Sequence, residues 1–216
     1  MLLAFDTATE AVTVALHDGG RVVAVHNAVD PRRHGELLAP GIVAVLDEAW
    51  VPRQDVTAIA VGVGPGPFTG LRVGLVTART LGAVLDIPVY GVCTLDVLAA
   101  EAVDSADGPR GAFIVATDAR RKEVYWATYD TDGARLDGPH VAKPADLPTE
   151  LAAGPVVGRG GLLYPDAFGP AVGPDYPSAA VLAAVVTDER VELLDPEPLY
   201  LRRPDTAPPS RPKRVS

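Results

Sequence analysis

Asp6, Thr7, Thr9 and Glu10 stand together directly after a short apolar run at the start of the chain. A carboxylate and two hydroxyls in one turn suit the orientation of a metal-bound water or a phosphate. They suit equally a turn closed by side-chain bonds to its own backbone. No lysine or arginine clamp lies near by in sequence, so Asp6, Thr7 and Thr9 are assigned to a nucleotide-facing turn without a catalytic role. A second aspartate, Asp118, closes a later apolar run, and Arg120, Arg121 and Lys122 follow it as a compact basic patch. A solvated turn accounts for that patch, and phosphate contacts within a larger assembly are the alternative.

The remaining chemistry is sparse. The glycine-rich turn GVGPGPFT, residues 62–69, has no lysine for a phosphate loop, and Thr69 stands where a dinucleotide fingerprint needs its third glycine. A helix start there gathers free N–H groups and a weak affinity for anions, yet a tight connection explains the same residues. His17, His26, His34 and His140 include no pair four apart on a helix, so no metal centre is expected. The serines lie in linkers or near the end of the chain, without a nucleophile elbow.

These residues need elements to hold them. Strands are expected at Leu2–Asp6, Ala11–His17 and residues 21–27, the last after the turn Asp18-Gly19-Gly20. Residues 33–50 carry helical periodicity in Leu38, Ile42, Val45, Leu46 and Ala49, with Pro40 near the start. A buried strand from Val56 runs into the glycine turn, and a helix capped by Thr69 continues to Leu85. A strand at 88–92 and a helix at 94–103 complete a β-β-β-α-β-α-β-α order, that of a ribonuclease-H-like unit. After the linker DSADGPRG (104–111), strands at 112–117 and 123–130 with Asp118 between them repeat the opening motif. The second copy is eroded, since eleven residues between 154 and 177 are Gly or Pro and one helix, 179–189, remains. This second lobe reads as too small to close over a substrate. The domains expected are thus 1–103, 112–203 and a disordered, basic, proline-rich tail at 204–216.

The helix after the glycine turn carries a further signal. Gly70, Gly74, Ala78 and Gly82 fall four apart and line one face. Interior glycines at 74 and 82 cost the helix about 2 kcal/mol, which close approach of another backbone would offset. Large apolar residues surround the rest, and the 33–50 helix likewise has a second face in Leu37, Gly41 and Ala44. One sheet covers one face of each helix, so the other faces are expected to meet a partner.

The 216 residues carry a net charge of −9, which argues against a broad nucleic-acid surface acting alone. Five cations against one anion make residues 202–216 +4, leaving −13 elsewhere. The single cysteine, Cys93, excludes an internal disulfide, fits a reducing cytoplasm and reads as a small buried hydrophobe. The N-terminal apolar run is too short for a signal peptide, and the uncharged stretch 56–71 is too broken by Gly and Pro to span a bilayer. A soluble cytoplasmic chain, with no membrane partner, is the expectation.

GVGPGPFTGLRVGLVTARTLG (62–82), with MLLAFDTATEAVTVAL, DARRKEVYWATY and EPLYLR, is similar to the TsaB (YeaZ) family. The matches run in family order over nearly the whole chain. The resemblance implies tandem ribonuclease-H-like lobes of the actin/hexokinase/sugar-kinase (ASKHA) superfamily, the second reduced. It implies a non-catalytic subunit that pairs with the transferase TsaD and is joined by the ATPase TsaE in making tRNA threonylcarbamoyladenosine. TsaD carries a paired-histidine metal motif on its corresponding helix; here Leu38 stands four residues after His34, which removes the metal centre. The partner interface is expected at His34, Leu37, Gly41, Ala44, Gly70, Arg72, Gly74, Ala78 and Gly82. No cofactor is required by this chain, with ATP or ADP and Mg²⁺ reserved for the assembled complex. tRNA is met through the complex only, and a homodimer of the isolated chain is compatible. A stand-alone ATP-dependent phosphotransferase using Asp6 and Asp118 is the rival, and a metallopeptidase the third reading.

Overall fold

The computed structural model describes residues 1–202; the expected tail at 204–216 lies outside them. Strands β1 (Leu2–Asp6), β2 (Ala11–His17) and β3 (Val22–Val29) form an antiparallel meander. Helix α1 (His34–Glu48) leads to β4 (Ala58–Gly62), α2 (Phe68–Leu85), β5 (Val89–Val92) and α3 (Thr94–Asp104). The second half holds β6 (Phe113–Asp118), β7 (Val124–Tyr129), β8 (Arg135–Ala142), α4 (Thr149–Ala152), β9 (Val156–Val157), α5 (Arg159–Leu163), β10 (Ala171–Val172) and α6 (Ala179–Thr187).

The duplication is complete at the level of strand order. The first sheet runs β3-β2-β1-β4-β5 and the second β8-β7-β6-β9-β10, each an antiparallel meander extended by two parallel strands. The repeat is the ribonuclease-H-like order expected from the first half. Three strands went unpredicted. β8 contains Gly138-Pro139 and a register shift, while β9 and β10 are two residues each within the Gly/Pro-rich stretch.

Alternation along β1 and β4 sorts the layers. Leu3, Phe5, Ile59 and Val61 point into a core with Leu38, Ile42 and Val45 of α1 and Leu71 and Leu75 of α2. Ala4 and Ala60 point to the opposite face, where their small size admits Val97 of α3 and Leu182 and Ala183 of α6. Each fully buried Leu, Ile, Val or Phe contributes roughly 1.5–3 kcal/mol. Helix α3 also packs Leu95 and Leu98 on Phe113, Val115 and Tyr129 of the second sheet, so it lies between the two sheets. Helix α6, expected within the second lobe, instead packs mainly on β1 and β2 of the first sheet. Its near-continuous apolar composition, AAVLAAVVT, suits this sandwiched place.

Cys93 is buried, and burial above all pushes its thiol up to about 12, so it packs as a hydrophobe. Glu101 of α3 faces the start of α6; burial raises its carboxyl to about 7, against one opposing bond from the Ser178 backbone, and its Oε2 has no partner. A folded pKa above the unfolded one gives stability that is complete below about pH 4.5 and lost as pH rises through about 7. Glu101→Gln is therefore expected to gain on the wild type as pH rises. After allowance for solvent screening the gain at pH 8 is about 1–2 kcal/mol. Urea melts at pH 4.5 and pH 8 check it; equal differences at both would refute the assignment.

Candidate functional site

The duplication sets two hairpin turns facing each other, residues 7–10 after β1 and 119–123 after β6. Asp6 ends β1, but its side chain turns inward and is fully buried. One carboxylate oxygen accepts the Ala8 N–H at 2.7 Å and the other the Thr94 hydroxyl at 2.7 Å. Glycine at position 62 is required, because a Cβ there would overlap that carboxylate. Burial raises the Asp6 pKa, with the Ala8 and Thr94 bonds and nearby His34 working against it.

Thr7 is also turned away from the cleft. Its hydroxyl donates to the Gly70 carbonyl at 2.8 Å and accepts from the Gly74 N–H at 3.0 Å. Those two groups belong to one rung of α2, so the turn is bonded into the helix ladder. The nucleotide-facing assignment is corrected for Asp6 and Thr7: both carry structural bonds, and Thr9 alone of the three lines the cleft. A Thr69 cap is corrected as well. α2 starts one residue earlier, after Pro67, without a side-chain cap.

What fills the cleft is Glu10. Its Oε1 stands 3.1 Å from an Arg120 nitrogen, and its Oε2 stands 3.4 Å from Arg159 Nε and accepts the Tyr176 hydroxyl at 3.2 Å. Asp118 is drawn to the same Arg120, at 2.9 Å. The cavity left among Thr9, Glu10, Asp118, Arg120, Arg159 and Tyr176 is about 10 Å³, room for one water. Arg120, Arg121 and Lys122 all have positive φ, and of the three Arg120 lines this cavity. Sequence reasoning missed Arg159 and Tyr176, which lie in the Gly/Pro-rich stretch where no periodicity points to a site. Among the described residues no group of three or more His, Cys, Asp and Glu side chains converges as metal ligands.

The second candidate is the outer surface of α1 and α2, which lie side by side on the first sheet. The small stripe does not form it. Gly70, Gly74, Ala78 and Gly82 are buried, and a Cβ at Gly74 would stand 2.5 Å from Thr7 Oγ1. A Cβ at Gly82 would run into Val89 of β5, and one at Gly41 would meet His26 at 2.8 Å. A close neighbour is there, but it belongs to this chain: the Thr7 carbonyl at Gly70, the Thr7 hydroxyl at Gly74 and the Val89 side chain at Gly82. His34 is buried too, with Nε2 2.7 Å from the Thr9 carbonyl. Six of the nine expected interface residues are thus internal.

Of the other three, Leu37 is half-buried, Ala44 is exposed and Arg72 is exposed but engaged. Arg72 Nε donates to the Tyr200 hydroxyl at 2.8 Å, and its guanidinium lies 3.6 Å over the Phe68 ring, itself stacked on Tyr200. Around them the helices expose Val43 (55%), Val76 (62%) and Val84 (74%), with Trp50 93% exposed just beyond α1. Ala39, Pro40, Thr80 and Ala83 are exposed beside them, with the exposed charges of Arg79, Asp47 and Glu48 at the margins. By length and composition α2 alone among the described residues would suffice to cross a membrane, yet its buried face is committed to the sheet.

Comparison with known proteins places this architecture. The family model described as TsaD, tRNA N6-adenosine threonylcarbamoyltransferase, matches residues 25–159. An uncharacterized protein of Mycobacterium tuberculosis is 44% identical, over 96% of this chain and 94% of its own length. The Escherichia coli tRNA threonylcarbamoyladenosine biosynthesis protein TsaB is 40% identical over 61% of this chain and 55% of that protein. The solved structure of YeaZ from Pseudomonas aeruginosa superposes with a TM-score of 0.76 at 34% identity, covering 93% of this chain and 99% of that one. A polyphosphate/ATP-glucomannokinase from Arthrobacter, at 14% identity and TM-score 0.50, shares the fold alone, that of the ASKHA sugar kinases. With a YeaZ structure matched along almost its entire length at this identity, the chain belongs to the TsaB/YeaZ family.

Proposed function

We propose that this chain is a non-catalytic partner subunit in the biosynthesis of tRNA threonylcarbamoyladenosine, which binds and activates the transferase TsaD and helps to dock the ATPase TsaE. Family membership supports the pathway, since relatives at 31–40% identity carry that biosynthesis in their names. The observation that carries the partner role is the set of exposed apolar side chains on the outer face of α1 and α2, where Val43, Val76, Val84 and Trp50 are more than half exposed between flanking charges such as Arg72, Arg79 and Asp47. Exposed apolar side chains gathered on two adjacent helices are what a protein interface buries. The interface therefore runs through Leu37, Val43, Ala44, Val76 and Val84, with Arg72 on its rim, and not through the glycine stripe. The same face serves self-association when TsaD is absent. tRNA, nucleotide and Mg²⁺ are met in the assembled complex, in the cytoplasm. A stand-alone phosphotransferase is disfavoured, because Asp6 is fully buried and spends both carboxylate oxygens on Ala8 and Thr94.

Calorimetric titration of the chain with its cognate TsaD tests this reading. Val76→Asp would put a carboxylate into the contact, within one turn of Arg72 and Arg79, and is expected to weaken binding about tenfold or more. Its melting temperature should stay near that of the wild type, because Val76 touches solvent in the free chain. No binding by the wild type, or unchanged affinity in a folded Val76→Asp, would refute the proposal.

A further inference from the structure

Glu10 is the member of the first hairpin turn that reaches into the second half of the chain. Arg120 comes from the β6–β7 turn, Arg159 opens α5 and Tyr176 follows β10, so three separate segments converge on one carboxylate. The Arg159 guanidinium also stands 5.4 Å from the Tyr176 ring, which orients both donors. Glu10 is the least exposed member of its ion pairs, at 20% against 48% for Arg120 and 37% for Arg159. Arg159 Nε is sealed from solvent and makes no hydrogen bond, so the nearby carboxylate is what compensates it. Asp118 holds the other side of Arg120 at 2.9 Å and Asp175 also lines the cavity, so an anion there meets carboxylates as well as the two guanidinium groups.

Two guanidinium groups and a phenolic hydroxyl around one pair of oxygens are the surroundings of a bound oxyanion. We infer that Arg120, Arg159 and Tyr176 form an oxyanion-binding site, suited to a phosphate group, that the chain fills with its own Glu10. The carboxylate acts as an internal ligand. It ties the first hairpin turn to the second half and closes the cleft to phosphate-bearing ligands from within. The inference needs no partner protein, so it stands or falls separately from the role with TsaD.

Removing Glu10 vacates the site, and a free anion should then rescue it. The test uses the full chain and inorganic phosphate, against chloride of equal ionic strength. With an affinity of about 1 mM, 20 mM phosphate is expected to raise the melting temperature of Glu10→Ala by about 4–7 °C. The wild type, already filled, should move by less than about 1 °C. Adding Arg159→Gln to Glu10→Ala should abolish the gain. If Glu10→Ala is unfolded in chloride, phosphate should restore its fold, and failure to do so would overturn the inference. Equal shifts in wild type and Glu10→Ala, or a gain that survives loss of Arg159, would overturn it as well.

Discussion

Gly74→Leu is expected to melt roughly 2–12 °C below the wild type while its folded fraction still binds TsaD with unchanged affinity. The Cβ alone would stand 2.5 Å from Thr7 Oγ1, and Val61 lies just beyond at 3.7 Å. Thr7 cannot withdraw cheaply, because its hydroxyl holds both the Gly70 carbonyl and the Gly74 N–H. Overpacking costs about 1–3 kcal/mol and loss of the hydroxyl bonds about 1 kcal/mol more. Better helix propensity returns about 1 kcal/mol at most, leaving a net loss of about 1–3 kcal/mol. At 2–4 °C per kcal/mol for a chain of this size, that gives the stated shift. Thr7→Ala should recover part of the loss in the gentler Gly74→Ala background, since the two positions share one space. A Gly74→Leu protein that melts as the wild type but no longer binds TsaD would return the stripe to the interface.

Asp6→Ala should be nearly as damaging, through folding and not through chemistry. It leaves the Ala8 N–H and the Thr94 hydroxyl without their acceptor in a fully buried place, a loss of about 2–4 kcal/mol. Asp6→Asn keeps the volume and one acceptor and should lose less. The pH dependence separates the two effects. Burial raises the Asp6 pKa above 3.8, so the folded state favours the protonated acid. The stability this contributes is complete below the unfolded pKa and is lost as pH climbs through the folded one. The advantage of the wild type over Asp6→Asn should therefore shrink from pH 4 to pH 8, as read by urea melts. An advantage that widens with pH would mean that the ionised carboxylate is the favoured form in the fold.

The sequence carried the first half of this fold further than the second for a physical reason. α1 and α2 are long elements of 15 and 18 residues, and β1 and β2 are near-continuous apolar runs bounded by turn residues, so both kinds leave a mark in the sequence. The pairing of Asp6 with Asp118 exposed the duplication, which the two strand orders bear out. β9 and β10 left no trace because two residues have no period, and only their neighbours in the sheet make them strands. At the site, Glu10 and Arg120 lay in recognisable turns, whereas Arg159 and Tyr176 acquire meaning only across 149 and 166 residues of sequence. The glycine stripe is the instructive case. Its spacing reports that something packs close, and nothing in spacing says which chain supplies it or whether it is backbone or side chain.

The return of α6 to the first sheet bears on how the chain is made. Until residues 179–187 are synthesised, the face of that sheet carrying Ala4 and Ala60 lacks Leu182 and Ala183. At 5–20 residues per second, the 83 residues from the end of α3 to the end of α6 take roughly 4–17 s to translate. Throughout that interval the N-terminal half stands at the ribosome with an apolar flank uncovered. A nascent chain released at the 104–111 linker would carry the same flank permanently, so the two copies of the ancestral unit can no longer be parted into independent proteins.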